Sequence, residues 1–251
     1  SQGLLTPRIL EENKSLKYLL MDYYPTNNSS KYFKREEIKT ILPRALQNII
    51  HLQKPRKKFS GIPEKAHTNL MKDALKGIET YIGYFDHKIQ IGYYLNWLIQ
   101  ISLKKNLEKI TKYKPRLAHG DFFLENLIYY KRKIFVIDHQ DLHYNHPCLD
   151  IASLIFDARR QYSSKVEDRC IKEYAKKSNQ ALRETTYDIH LVSLARNLRI
   201  LGNWINLYRS GKPQYLKKYR KSTWTQILKH VEYLRFWDLR ELFEEVYKKT
   251  K

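Results

Sequence analysis

Two four-residue runs, 127–130 (LIYY) and 134–137 (IFVI), interrupt a chain whose apolar residues otherwise recur at helical spacing. Such runs of β-branched and aromatic residues, separated only by Lys131, Arg132 and Lys133, predict a small hairpin. On either side the pattern is helical. Residues 38–52 place Ile38, Ile41, Leu42, Ala45, Leu46, Ile49 and Ile50 on one face. Residues 65–113 continue in two or more helices with a break near Asp86–His87, and residues 149–158 read as a buried helix after Pro147. Residues 191–205 put Leu191, Leu194, Ala195, Leu198, Leu201, Gly202 and Ile205 on one stripe, which Gly211 and Pro213 terminate. Residues 224–246 supply the last one or two helices. Near the start, residues 16–23 (LKYLLMDY) predict one strand running into Pro25, and 27–30 predict a loop. Residues 54–63, basic with one Gly and two prolines, predict an exposed loop. The fold class is therefore α+β and mainly helical, with its β-element in the middle.

Composition narrows the setting. The apolar fraction is 42%, too high for a disordered polymer. The longest apolar stretch, 94–103, includes Asn96 and Gln100 and is too short to span a bilayer. The opening residues have neither a basic segment nor a long apolar one, so no secretory signal is read there. Two cysteines, Cys148 and Cys170, are too few for a disulfide framework and lack metal-site spacing, which predicts reduced thiols in a cytoplasmic protein. A net charge of +21 invites a nucleic-acid reading, but the charge is spread along the chain and no reader motif accompanies it. A solvated basic surface accounts for it.

The chemistry lies in the window 117–141, LAHGDFFLENLIYYKRKIFVIDHQD. His119, Asp121, Asn126 and Asp138 stand in otherwise apolar sequence. Asp121 and Asn126 flank a loop that enters the first strand, and Asp138 ends the second, so a hairpin can return Asp138 beside Asn126. An amide and a carboxylate oxygen, with room for waters and phosphate oxygens, suit Mg²⁺. Asp121 is then placed to accept a proton from an attacking hydroxyl. His119 orients that loop rather than acting as its base.

HGDFFLEN, VIDHQD and HPCLDIASL resemble the catalytic motif and metal-binding Asp of the aminoglycoside phosphotransferase and choline kinase superfamily, whose fold is protein-kinase-like. VIDHQDLHYNHPCLDIASLIFDARR and LARNLRILGNWINLYRSGKPQYL are similar to its bacterial branch of anomeric N-acetylmuramate and N-acetylglucosamine kinases. The resemblance implies an ATP-dependent phosphotransferase using ATP and Mg²⁺ on an amino sugar. It implies Asp121, with His119, as the catalytic pair, Asn126 and Asp138 as metal ligands, and Asp150 and Asp141 as supports of the loop. Met21, Asp22 and Tyr23 would meet the adenine at a hinge spanning 22–25. Arg159, Arg160, Arg196 and Lys212 lie in matching segments, with Arg159 and Arg196 as substrate candidates. Phe123 stands where that branch has a second His, and His139 where it has Phe.

The same resemblance divides the chain at residue 25. Residues 1–25 would be the last strand and hinge of an amino-terminal lobe. Residues 26–251 would be the carboxy-terminal lobe, with the catalytic and metal segment at 117–141 and a helical remainder at 148–251. The phosphate-covering loop and strand lysine of the family have no counterpart in the sequence, and no GxGxxG occurs. This leads to the expectation of a truncated kinase whose missing lobe a separate polypeptide could supply. The alternative expectation is an inactive remnant serving as a binding module, with a basic nucleic-acid binder behind both.

Overall fold

A computed structural model describes residues 5–24, 35–54, 58–65, 67–89, 93–111 and 113–250. The chain divides into two compact units. The first contains residues 1–64, 115–154 and 163–182; the second contains 65–114, 155–162 and 183–251. The expected division at residue 25 adjoins the undescribed stretch 25–34, as does the expected loop at 27–30.

In the first unit the predicted hairpin is present. Leu127–Tyr130 and Lys133–Val136 pair antiparallel, with Leu127 opposite Val136 and Tyr130 opposite Lys133. Its two-residue turn, Lys131 and Arg132, has both φ angles positive, at 46° and 61°. That geometry matches the twist of the flanking strands, though neither residue relieves the left-handed strain as Gly or Asn would. In chain order the strands of this unit are β1 (Ile9–Asn13), β2 (Tyr18–Met21), β3 (Arg116–Ala118), β4 and β5 (the hairpin) and β6 (His143–Asn145). They form three separate antiparallel pairs: β1–β2, β3–β6 and β4–β5.

Helix α1 (Arg35–Gln53) buries Ile41, Leu42, Ala45, Leu46 and Ile49, the stripe expected from periodicity, and Asn48 Nδ2 donates to the Ile134 carbonyl at 3.3 Å. The strand expected at 16–23 is β2, but it has a partner that sequence reading missed. Asn13 Oδ1 accepts the Leu16 N–H at 2.9 Å and Lys17 takes a φ of 53°, turning β2 back on β1. The two glutamates and the asparagine of ILEEN gave that strand no β signature. The β1–β2 hairpin is tied to β5. Val136 N–H donates to Leu5 O at 2.9 Å, and the Tyr24 ring lies 4.4 Å from Phe135 and 5.4 Å from Tyr130.

Helix α4 (Leu149–Ile155) stops three residues short of the expected 158. The cause is Asp157, whose carboxylate accepts the Arg159 N–H at 3.0 Å and competes with helical bonding. Helix α5 (Ser164–Ser178) lies against α1 and completes the first unit.

The second unit is helical: α2 (His67–Ile89), α3 (Tyr93–Leu107), α6 (Leu182–Arg209), α7 (Gln214–Tyr233) and α8 (Trp237–Lys249). Helix α2 runs through the expected break at Asp86–His87 to Ile89, and the interruption falls at the undescribed residues 90–92. Its centre holds Trp224 between Tyr81 and Phe243, with ring centroids at 5.4 and 5.8 Å, and Tyr81 Oη donates to Thr250 Oγ1 at 2.8 Å. Helices α2 and α6 meet at Gly77 and Gly202, where a Cβ on Gly202 would come within 2.7 Å of the Gly77 Cα. Gly211, with φ of 82°, ends α6 as predicted. Among the described residues, no helix is long and apolar enough to cross a membrane. Cys148 and Cys170 are buried and unbridged, and burial pushes the Cys170 thiol up to about 12.

Candidate active site

β3 leads into a loop whose backbone at residue 120 favours glycine. Gly120 has a φ of 91°, and a Cβ there would lie 3.0 Å from His143 Cε1 and 3.1 Å from the Asp141 carbonyl oxygen. Phe122 and Leu124 anchor the loop in the core, at 0% and 1% exposure, while Asp121, Phe123 and Glu125 alternate with them as half-buried positions. Phe123 N–H donates to Asp121 O at 3.1 Å, and Asn126 N–H to Phe123 O at 2.9 Å. The result is a tight turn, 124–126, feeding directly into β4.

The open end of the hairpin brings the chain segment of Asn126 beside the one that leads into Asp138. Ile137 N–H donates to Asn126 O at 3.0 Å, so the two chain segments are one hydrogen bond apart. Asn126 Nδ2 donates to Asp121 O at 2.9 Å, which points its amide nitrogen into the loop. Asp138 adopts left-handed backbone (φ 67°, ψ 51°), a conformation Asp tolerates better than most residues, and its side chain is exposed. Among the described residues its carboxylate makes no hydrogen bond or ion pair. Amide and carboxylate oxygens fit magnesium, a hard cation that takes few protein ligands and completes its shell with water and phosphate. No cluster of three His, Cys, Asp or Glu able to hold a metal exists among the described residues.

The loop is held from below. Asp150, fully buried, accepts the N–H groups of His119 at 2.8 Å and Gly120 at 3.1 Å. Burial pushes its carboxyl up, against the pull of His119 and the two amides. His119 is itself fully buried, with Nε2 3.0 Å from the Ile137 carbonyl. A carbonyl only accepts, so Nε2 carries the proton and the ring ties the catalytic loop to the end of β5. The His139 ring stands edge-on to it at 5.8 Å, and burial, then His119, lower the His139 pKa. Phe123 is half-buried beside Asp121.

The other expected residues fall as follows. Asp141 ends the turn after Asp138 with its carboxylate exposed; its carbonyl accepts from His143 Nδ1 at 2.6 Å. Met21 and Tyr23 are exposed at the end of β2, while Asp22 exchanges backbone and carboxylate hydrogen bonds with Arg8 at 2.9 and 3.2 Å. Pro25 lies outside the described residues. Arg159, Arg160, Arg196 and Lys212 belong to the second unit. Arg159 is clasped by the Asp157 carboxylate, with Nε and Nη2 at 2.9 and 3.0 Å. Arg196, expected as a substrate candidate, is 4% exposed inside α6, and Lys212 is exposed.

Sequence reading missed His143, Asn145 and His146. All three are buried on or just after β6, and β6 pairs with β3 through Ala118 opposite His143. Alternating HYN has no apolar face to advertise a strand, so only the long-range pairing reveals it.

Fold and loop together define a kinase-like architecture. Residues 92–186, which include His119, Asp121, Asn126 and Asp138, match the phosphotransferase enzyme family. Among curated proteins, the chain is 32% identical over 106 residues to an N-acetylmuramate/N-acetylglucosamine kinase of Caulobacter vibrioides. That match covers 39% of this chain and only 29% of the relative. Among solved structures, the chain is similar to a choline/ethanolamine kinase family protein from Mesorhizobium loti (TM-score 0.61, 12% identity), covering 95% of this chain and 77% of that one. It is also similar to choline kinase from Streptococcus pneumoniae (TM-score 0.59, 16% identity, 92% and 75% covered). The GDP complex of an aminoglycoside 2'-phosphotransferase gives a TM-score of 0.60 at 11% identity, with 90% and 77% covered. At these identities the solved structures speak for the fold alone.

Proposed function

We propose that this chain performs ATP-dependent phosphoryl transfer to a hydroxyl of a small molecule, and that the acceptor is an amino sugar phosphorylated at its anomeric oxygen. The observation that supports it most is the bond from Ile137, the residue before Asp138, to Asn126 at the mouth of one hairpin, with the Asp121 loop hydrogen-bonded to Asn126. Asn126 Oδ1 and the Asp138 carboxylate would hold magnesium with the nucleotide; once bound, the ion would neutralise charge on the phosphates. Asp121 orients the acceptor and takes its proton as the oxygen bonds to the γ-phosphorus and the bond to the ADP oxygen breaks. Asp150 and His119 fix the loop so that this carboxylate needs no rearrangement to act. The exposed chain at Met21–Tyr23, tied to β5 through Tyr24, offers backbone groups to an adenine ring. The choice of an amino sugar rests on the sugar kinase that the chain partly matches.

The test is ³¹P NMR of the chain with ATP, Mg²⁺ and, in separate tubes, N-acetylmuramate, N-acetylglucosamine and choline. An anomeric sugar phosphate is expected, formed at least about 100-fold more slowly by Asp121→Ala. Equal rates for wild type and Asp121→Ala would overturn the reading. Transfer to choline in preference to either sugar would replace the acceptor and leave the chemistry.

A further inference from the structure

His143 is in contact with both halves of the candidate site. Its Cε1 is the atom that a Cβ on Gly120 would meet first, at 3.0 Å, and its Nδ1 lies 2.6 Å from the Asp141 carbonyl. Gly120 immediately precedes Asp121, and Asp141 closes the turn that begins at Asp138. One buried ring, 4% exposed, therefore lies between the loop bearing the base and the turn bearing the metal carboxylate.

The ring's proton is placed by a directed series of hydrogen bonds that starts at the main chain. The His146 N–H can only donate, and it does so to Asn145 Oδ1 at 2.6 Å. That fixes the Asn145 amide, so Nδ2 faces His143 Nε2 at 2.9 Å and donates to it. Nε2 must then carry the lone pair and Nδ1 the proton, which goes to the Asp141 carbonyl. His146 Nδ1 in turn accepts the Cys148 N–H at 3.0 Å. The opposite tautomer of His143 would set two donors face to face at Asn145 and two acceptors face to face at Asp141. Each mismatch would leave buried polar groups unsatisfied, which a folded protein avoids. An imidazolium would meet the same donor clash at Asn145.

From this geometry we infer that His143, held as its Nδ1–H tautomer by Asn145, is a positioning residue that sets the spacing between the Asp121 loop and the Asp138–Asp141 turn. The inference rests on the phosphotransferase reading for its consequence, which is the affinity for metal–nucleotide, but not for its geometry. An asparagine at 143 presents an amide nitrogen near the Nδ1 position and keeps the donor to Asp141. A glutamine presents its amide near Nε2 and loses that donor.

The test uses the whole chain with His143→Asn and His143→Gln. Three quantities are read: amide hydrogen exchange at residues 120 and 139–142, the affinity for Mn²⁺–ADP by electron paramagnetic resonance, and the urea midpoint. Both variants are expected to lower the midpoint alike, since both remove a buried ring. His143→Gln is expected to speed exchange in the two loops about tenfold and to weaken Mn²⁺–ADP about tenfold. His143→Asn should stay within about threefold of wild type in both. Equal exchange in the two variants would reduce His143 to packing and overturn the inference. If the exchange splits as expected but wild type shows no Mn²⁺–ADP binding, the positioning stands and the phosphotransferase reading falls.

Discussion

Asp138 shows how much a single residue can be asked to do. It follows β5, turns the chain through left-handed backbone and exposes a carboxylate, one residue after the Ile137 N–H that bonds to Asn126. At this scale the sequence was informative where polarity clashed with surroundings: Asp121, Asn126 and Asp138 stand out among apolar neighbours. It was silent about His143, Asn145 and His146, whose roles depend on which atom each faces. Their burial has a consequence in acid. Desolvation pushes His146 and His190 down to about 3, and His230 well below its usual value. The folded protein therefore refuses protons that the unfolded chain accepts below about 6.5. Stability from these groups is undiminished above that pH and is lost as pH falls towards 3. His146→Asn, which can keep an acceptor for the Cys148 N–H, should shallow the acid limb of urea-unfolding stability by up to about 4 kcal/mol at pH 3. An unchanged acid limb would show that His146 is not a source of the loss.

At the scale of elements, helices and the β4–β5 hairpin were legible because their periodicity is local. Ile41 to Leu52 declares one face of α1 within four turns, and LIYY and IFV declare the hairpin within ten residues. β1, β3 and β6 were not legible. Arg116–Ala118 pairs with His143–Asn145 across the whole catalytic segment, and three-residue strands carry no period to detect. The early end of α4 was hidden for another reason: Asp157 acts through its own side chain, against apolar neighbours that continue the helical pattern. Gly202 was read as one more member of an apolar stripe, but its role is close approach. Gly202→Ala forces a methyl against the Gly77 backbone, with contacts of 2.7 and 2.9 Å. It should cost about 3 kcal/mol by urea unfolding, whereas Gly211→Ala, in open space, should cost only the strain of its positive φ, about 1 kcal/mol. Equal losses would mean that α2 and α6 do not meet so closely.

For the molecule as a whole, the net charge of +21 gives no function by itself. It attracts polyanions in a salt-dependent way, and a nucleotide with its metal is distinguished from these by needing one particular pair of oxygens. The central claim is that Asn126 and Asp138 are that pair. Calorimetric titration of ADP, in Mg²⁺ and again in EDTA, tests it most directly with three proteins: wild type, Asp138→Ala and Asp121→Asn. The account predicts that Mg²⁺ tightens ADP binding to wild type by at least about tenfold, or 1.4 kcal/mol. The gain should vanish in Asp138→Ala and persist in Asp121→Asn. A magnesium-dependent gain of the same size in Asp138→Ala, or none in wild type, would contradict it.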